Sequence, residues 1–159
     1  DKMTNKIEVE LQIVSTSENI PEQEKIKFWV AVVIERFCTN TSAEVCVRIV
    51  DEEEGRDLNK HYCGLDKPTN VLAFPTTADL PLPLEVRSSL GDIVICAPVV
   101  EREALAQCKE TLDHWFHLVV HGSLHLLGYD HDSSQDAEQM EAIEQEILAS
   151  YGVQDPYLG

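Results

Sequence analysis

Basic residues are scarce. The 159 residues include 12 Lys and Arg against 29 Asp and Glu, a formal charge of -17, and neither lysine nor arginine occurs after Lys109. A chain of this kind cannot hold a polyanion through a broadly basic surface, so any nucleic-acid substrate must meet a local patch. No apolar run approaches the ~20 residues of a membrane-spanning helix, which argues against a membrane location. The five cysteines (Cys38, Cys46, Cys63, Cys96, Cys108) contain no C-x-x-C pair. Odd in number and dispersed, they read as reduced thiols of a cytoplasmic protein rather than a disulfide framework. No apolar leader opens the chain; Met3 reads as the natural initiator, with Asp1 and Lys2 added ahead of it. Repeats, low-complexity segments and internal linkers are also lacking, so residues 1–159 are expected to form a single domain.

What is present is a regular alternation of patterns. Ile7, Val9, Leu11 and Ile13 alternate with polar residues and predict a strand. Pro21 stands near the start of a helix whose stripe is Ile26, Trp29, Val30, Val33, Ile34 and Phe37. Val45, Val47 and Ile49 give a second strand, and Asp51 is placed to cap a short helix through Leu58 to Tyr62. Asn70 to Phe74 predicts a third strand, Thr76 to Leu90 a long loop with two prolines, and Asp92 to Cys96 a fourth strand. Pro98 opens the next helix. A helix from about Thr111 to Leu127 carries apolar residues from Leu112 to Leu126 around most of its circumference, the pattern of a central buried helix. Ser133 with Asp136 resembles a capping box for a last helix, whose Met140, Ile143, Ile147, Leu148 and Tyr151 are expected to face the core. The expected fold is α+β, a small four-stranded mixed sheet packed with about five helices.

The chemistry sits in His121-Gly-Ser-Leu-His125-Leu-Leu-Gly128-Tyr-Asp-His131. His121 and His125 are one helical turn apart and leave the same face of a helix. Gly128 supplies the left-handed residue that ends the helix, so the turn can return His131 as a third ligand. Three neutral nitrogens on one zinc ion leave a position for water, whose pKa would fall from ~15.7 towards ~7. The run matches the zincin pattern H-E-x-x-H-x-x-G-x-x-H except at one position. Gly122 stands where a metallopeptidase keeps its general base, so peptide hydrolysis by the usual route is excluded. His114 and His117 share a side of this helix. His117 is expected to hydrogen-bond behind the ligands or line a groove, and His114 to lie near the helix start at the surface.

The resemblance extends beyond the histidines. Pro68-Thr69-Asn70-Val71-Leu72-Ala73-Phe74-Pro75 resembles the P-T-N-V-L-S-F-P signature of the YbeY family of bacterial ribosome-maturation proteins, with Ala73 in place of serine. Leu90-Gly91-Asp92-Ile93 resembles its L-G-D-I element, and Leu58-Asn59 through Tyr62 its preceding helix. The resemblance implies a cytoplasmic, zinc-dependent endoribonuclease that prefers single strands. It further implies action in ribosomal RNA processing, especially at the 3' end of small-subunit RNA, and in ribosome quality control. The implied ligands of one zinc ion per chain are His121, His125 and His131. The implied partners are single-stranded ribosomal RNA in the small subunit and a ribosomal protein or assembly GTPase.

One departure bears on the chemistry. Where the family usually has an arginine, this chain reads Tyr62-Cys63-Gly64. Arginine could clamp a phosphate through two hydrogen bonds, and cysteine cannot. Arg48, Arg56, Lys60, His61 and Lys67 are the candidates for contacting substrate in its place. No residue stands out as proton acceptor: Asp130 could orient an imidazole, and Asp92 could face the metal from an opposite wall. A non-catalytic, zinc-containing ribosome assembly factor is the alternative reading, with a metallopeptidase behind it.

Overall fold

A computed structural model describes residues 6–37, 42–76, 88–130 and 132–157. The expectations for Met3, Cys38, most of the 76–90 loop and His131 therefore lie outside the described residues. Within them the chain forms β1 (Lys6–Ile13), α1 (Gln23–Phe37), β2 (Ser42–Val50), α2 (Glu52–Cys63), β3 (Val71–Pro75), β4 (Ser88–Cys96), α3 (Ala97–Ala106), α4 (Thr111–Leu126) and α5 (Ser134–Ala149). The sheet has four strands in the order β1-β2-β4-β3. β1, β2 and β4 run parallel, and β3 lies antiparallel on the edge beside β4. The α+β, mixed-sheet expectation holds.

Alternation in the strands decides which helix sits where. Ala43, Val45, Val47, Ile49, Ile93 and Ile95 all turn to one face and join the main core with α1, α4 and α5. Val50, Val94 and Cys96 turn to the other face, where Leu58 of α2, Leu72 and Phe74 cover them. Trp115, Val119, Val120 and Leu124 are fully buried, so α4 is the central helix that its all-round apolar pattern predicts. Burying each such side chain contributes about 1.5–3 kcal/mol. Among the described residues no helix is long and apolar enough to cross a membrane, and Cys46, Cys63, Cys96 and Cys108 are free thiols.

Several local expectations need correction. β4 begins at Ser88, not Asp92. Its extra residues pair with β2 across an irregularity at Glu44/Val45, and Gly91 at φ +135 lets the backbone pass where a Cβ would lie 2.3 Å from the Phe74 carbonyl oxygen. Asp51 precedes α2 but does not cap it through its side chain. Its carboxylate instead accepts from the Ser15 hydroxyl and from the Thr16 amide and hydroxyl at 3.0 and 2.9 Å, tying the end of β1 to the start of α2. Phe37, Leu112 and Tyr151 lie at helix ends and remain partly exposed, although the Tyr151 ring still meets Phe116 of the core edge-on at 5.8 Å. Ser133 does cap α5, accepting from the Asp136 amide at 3.1 Å.

Gly122 marks a close approach of α4 to the sheet. A Cβ there would lie 3.0 Å from Ile93 Cγ2 and 3.3 Å from Val71 Cγ2. Alanine for glycine inside a helix normally gains about 1 kcal/mol, but crowding a filled core reverses the sign. Gly122→Ala is expected to lower stability by about 1 kcal/mol in urea unfolding; a gain would mean that β3 and β4 yield at this contact.

Candidate metal centre

α4 carries His114, His117, His121 and His125 along one side. The His121 and His125 rings stand nearly perpendicular with centroids 4.6 Å apart, and their Nε2 atoms face each other at 3.1 Å. Both side chains are half-buried. Behind them lies Glu144 of α5, fully buried. Its Oε2 takes His121 Nδ1 at 2.6 Å, and its Oε1 takes His117 Nε2 at 3.0 Å and the Tyr157 hydroxyl at 2.5 Å. Burial alone would raise the Glu144 carboxyl, yet the bonds from His117 and His121 outweigh it and hold its pKa at about 2. Burial and the same carboxylate push the Tyr157 phenol well above its ordinary value, so its hydroxyl stays a donor.

An ionised carboxylate only accepts, so the proton on His121 sits on Nδ1 and Nε2 keeps its lone pair. That lone pair points at the His125 nitrogen. Two nitrogens bound to one tetrahedral zinc at ~2.0–2.1 Å lie about 3.3 Å apart, close to the separation found, so the pair fits an imidazole-binding metal. His117, His121 and Glu144 also offer ligand atoms that lie within 4.8 Å of one another. Those atoms already satisfy one another as hydrogen bonds of 2.6 and 3.0 Å, so Glu144 is better read as the support of the Nε2 pair than as a ligand.

Gly128 ends the helix as its position predicts. At φ +100 it reverses the chain, donating to His125 O at 3.0 Å while the Tyr129 amide reaches Leu124 O at 3.1 Å. Asp130 follows on the exposed side.

The YbeY family, described as Endoribonuclease YbeY, matches residues 4–152. The chain belongs to the YbeY family. Relatives named Endoribonuclease YbeY include one from Halorhodospira halophila, 54% identical over 86% of this chain and 88% of its own. Another, from Alkalilimnicola ehrlichii, is 49% identical over 95% and 91%, and one from Cellvibrio japonicus is 48% identical over 96% and 84%. A solution structure of a Thermotoga maritima protein aligns with a TM-score of 0.55 at 25% identity, covering 94% of this chain and 99% of that one.

The family's resemblance segments do not all converge on the histidines. Asp92 pairs in register with Cys46 and turns to the α2 face of the sheet, opposite α4, where it lines a cavity of about 510 Å³ with Arg48, Tyr62 and Phe74. It cannot form the far wall of the metal site, because successive strand residues face opposite ways and its neighbour Ile93 is the one that meets α4. Arg48 is held on that same face by Glu54 at 2.5 and 3.1 Å and by Gln12 at 2.8 Å. Arg56 is paired with Asp66 at 2.7 Å. Lys60 shares a cavity of about 380 Å³ with Arg56, Asp66 and Glu53. His61, Cys63 and Lys67 are exposed at or just past the end of α2. Asn59 donates to Lys67 O at 2.8 Å and pins that connection.

His114 is buried, contrary to the surface position expected for it, because α3 packs over the first turns of α4 and Glu103 meets its Nε2 at 2.9 Å. Burial dominates and lowers its pKa despite that partner. Sequence reasoning missed Glu144 and Tyr157. Glu144 had a legible sign, since it falls between Met140 and Leu148 on the buried stripe of α5, where an acidic residue needs partners. Tyr157 had none. Replacing Glu144 by glutamine keeps the shape but exchanges one acceptor oxygen for a donor. Glu144→Gln is expected to weaken zinc binding about 10- to 100-fold in competition with a chromophoric chelator; undiminished affinity would remove Glu144 from the site.

Proposed function

We propose that this chain is a metal-dependent endoribonuclease that cuts single-stranded RNA during ribosomal RNA maturation, including the 3' end of small-subunit RNA, and serves in ribosome quality control. The proposed ligands of one zinc ion are His121, His125 and His131. The observation that carries the reading is the pair of Nε2 atoms at 3.1 Å, with Glu144 Oε2 2.6 Å from the other ring nitrogen of His121. Membership of a family whose relatives are named endoribonucleases supports the reaction class. When bound, such an ion supplies Lewis acidity at a phosphate oxygen and makes water a usable nucleophile near neutral pH.

The chain's own residues divide the remaining work. His121 and His125 hold the ion, and Glu144 keeps the Nδ1 proton of His121 in place. Asp130, adjacent to His131, is the candidate for orienting that imidazole. Gly122 offers no base, and the space its side chain would need is filled by Ile93 and Val71, which disfavours peptide hydrolysis. With Arg48 and Arg56 occupied by carboxylates, Lys60, His61 and Lys67 remain as the contacts for RNA phosphates. A small-subunit ribosomal protein or assembly GTPase that presents the RNA compensates for the chain's acidity. Cys63 together with the two neutralised arginines favours one second reading, a zinc-containing assembly factor without catalysis.

Purified protein is expected to cleave single-stranded ribosomal RNA, chelation to abolish cleavage, and His125→Ala to lower the rate by roughly 100-fold or more. Cys63→Arg should raise it, since it restores a phosphate clamp. Cleavage by neither the wild type nor Cys63→Arg would favour the assembly-factor reading, and undiminished cleavage by His125→Ala would end the metal-centred one.

A further inference from the structure

The segment after α5 folds back towards the histidines. Gly152 turns at φ +80, the Val153 amide reaches Leu148 O at 3.0 Å, and Val153 packs against the core. Lys109 Nζ then donates to Pro156 O at 3.2 Å, and the Tyr157 amide donates to Asp155 Oδ1 at 2.9 Å. The result is a tethered strap that delivers the Tyr157 hydroxyl to Glu144 Oε1 at 2.5 Å, with His117 Nε2 3.2 Å from the same hydroxyl. The ring meets His117 edge-on at 5.4 Å and is 43% exposed. Tyr157 therefore gains less from burial than from its polar end. It also lies outside residues 4–152, the span that matches the family.

We infer that Tyr157 is a positioning residue of the metal centre, its hydroxyl locking the Glu144 carboxylate so that His121 presents Nε2 for ligation. The inference rests on the proposed metal site. The donors on its two oxygens set the plane of the carboxylate: a half-turn only exchanges equivalent oxygens, but a smaller rotation carries Oε2 away from His121 Nδ1. With Oε1 held by both His117 and Tyr157, Oε2 stays on His121 Nδ1, and the neutral ring keeps its proton there. Removing the hydroxyl takes away the shortest of these contacts. Oε1 then has one donor, the carboxylate is free to turn, and the His121 tautomer with its proton on Nε2 becomes accessible. That tautomer has no lone pair to offer an ion at Nε2.

The test compares wild type, Tyr157→Phe and Lys109→Met, the last of which loosens the strap without touching Glu144. In metal-free, ¹⁵N-histidine-labelled protein at pH 8, His121 is expected to be the Nδ1–H tautomer in the wild type and a mixture in Tyr157→Phe. Zinc affinity, measured by chelator competition, should fall about tenfold in Tyr157→Phe and by less in Lys109→Met. A Tyr157→Phe protein with wild-type His121 signals and wild-type zinc affinity would overturn the inference. A wild type that takes up no zinc would overturn the metal reading instead, while the tautomer comparison, made without metal, still decides the role of Tyr157.

Discussion

A fully buried carboxylate with no compensation would cost several kcal/mol, and the organisation around Glu144 follows from meeting that cost. Three donors converge on it, from His117 and His121 of α4 and from Tyr157 of the strap. Because the donors come from separate stretches of chain, satisfying Glu144 also docks α5 and the strap onto α4. The same bonds settle which nitrogen of His121 carries its proton. The docking of these elements and the orientation of the His121 ring thus depend on one group.

That arrangement depends on how α4 is seated. Glycine at position 122 lets the helix approach Ile93 and Val71 closely, which fixes its depth on the sheet, and the left-handed Gly128 ends it just beyond His121 and His125. The other sheet face has a different character. There Arg48 is paired with Glu54 and Arg56 with Asp66, so the structure separates the imidazole cluster from the two arginines that the sequence offered as substrate contacts.

The legible parts were those written in local spacing. The four-residue interval from His121 to His125, the glycine at 128, the all-round apolar pattern of α4 and the Ser133 cap each depend on residues within a turn or two of one another. They were readable for that reason. The parts that escaped depend on distant segments: Asp51 is claimed by Ser15 and Thr16 rather than by α2, Glu103 of α3 draws His114 inward, and Asp92 is turned away by strand register. Glu144 was one of many carboxylates in an acidic stretch, and only its place on the apolar stripe of α5 distinguished it. Tyr157 reaches Glu144 through a reversal at Gly152 that no periodic signal announces.

The central claim is that Glu144 supports the ligands and is not one of them. Anomalous diffraction at the zinc edge, from crystals of zinc-loaded protein, tests this directly. The account predicts an ion bound by His121 Nε2 and His125 Nε2, with Glu144 Oε2 still hydrogen-bonded to His121 Nδ1. An ion seated instead among His117, His121 Nδ1 and the Glu144 carboxylate would contradict it.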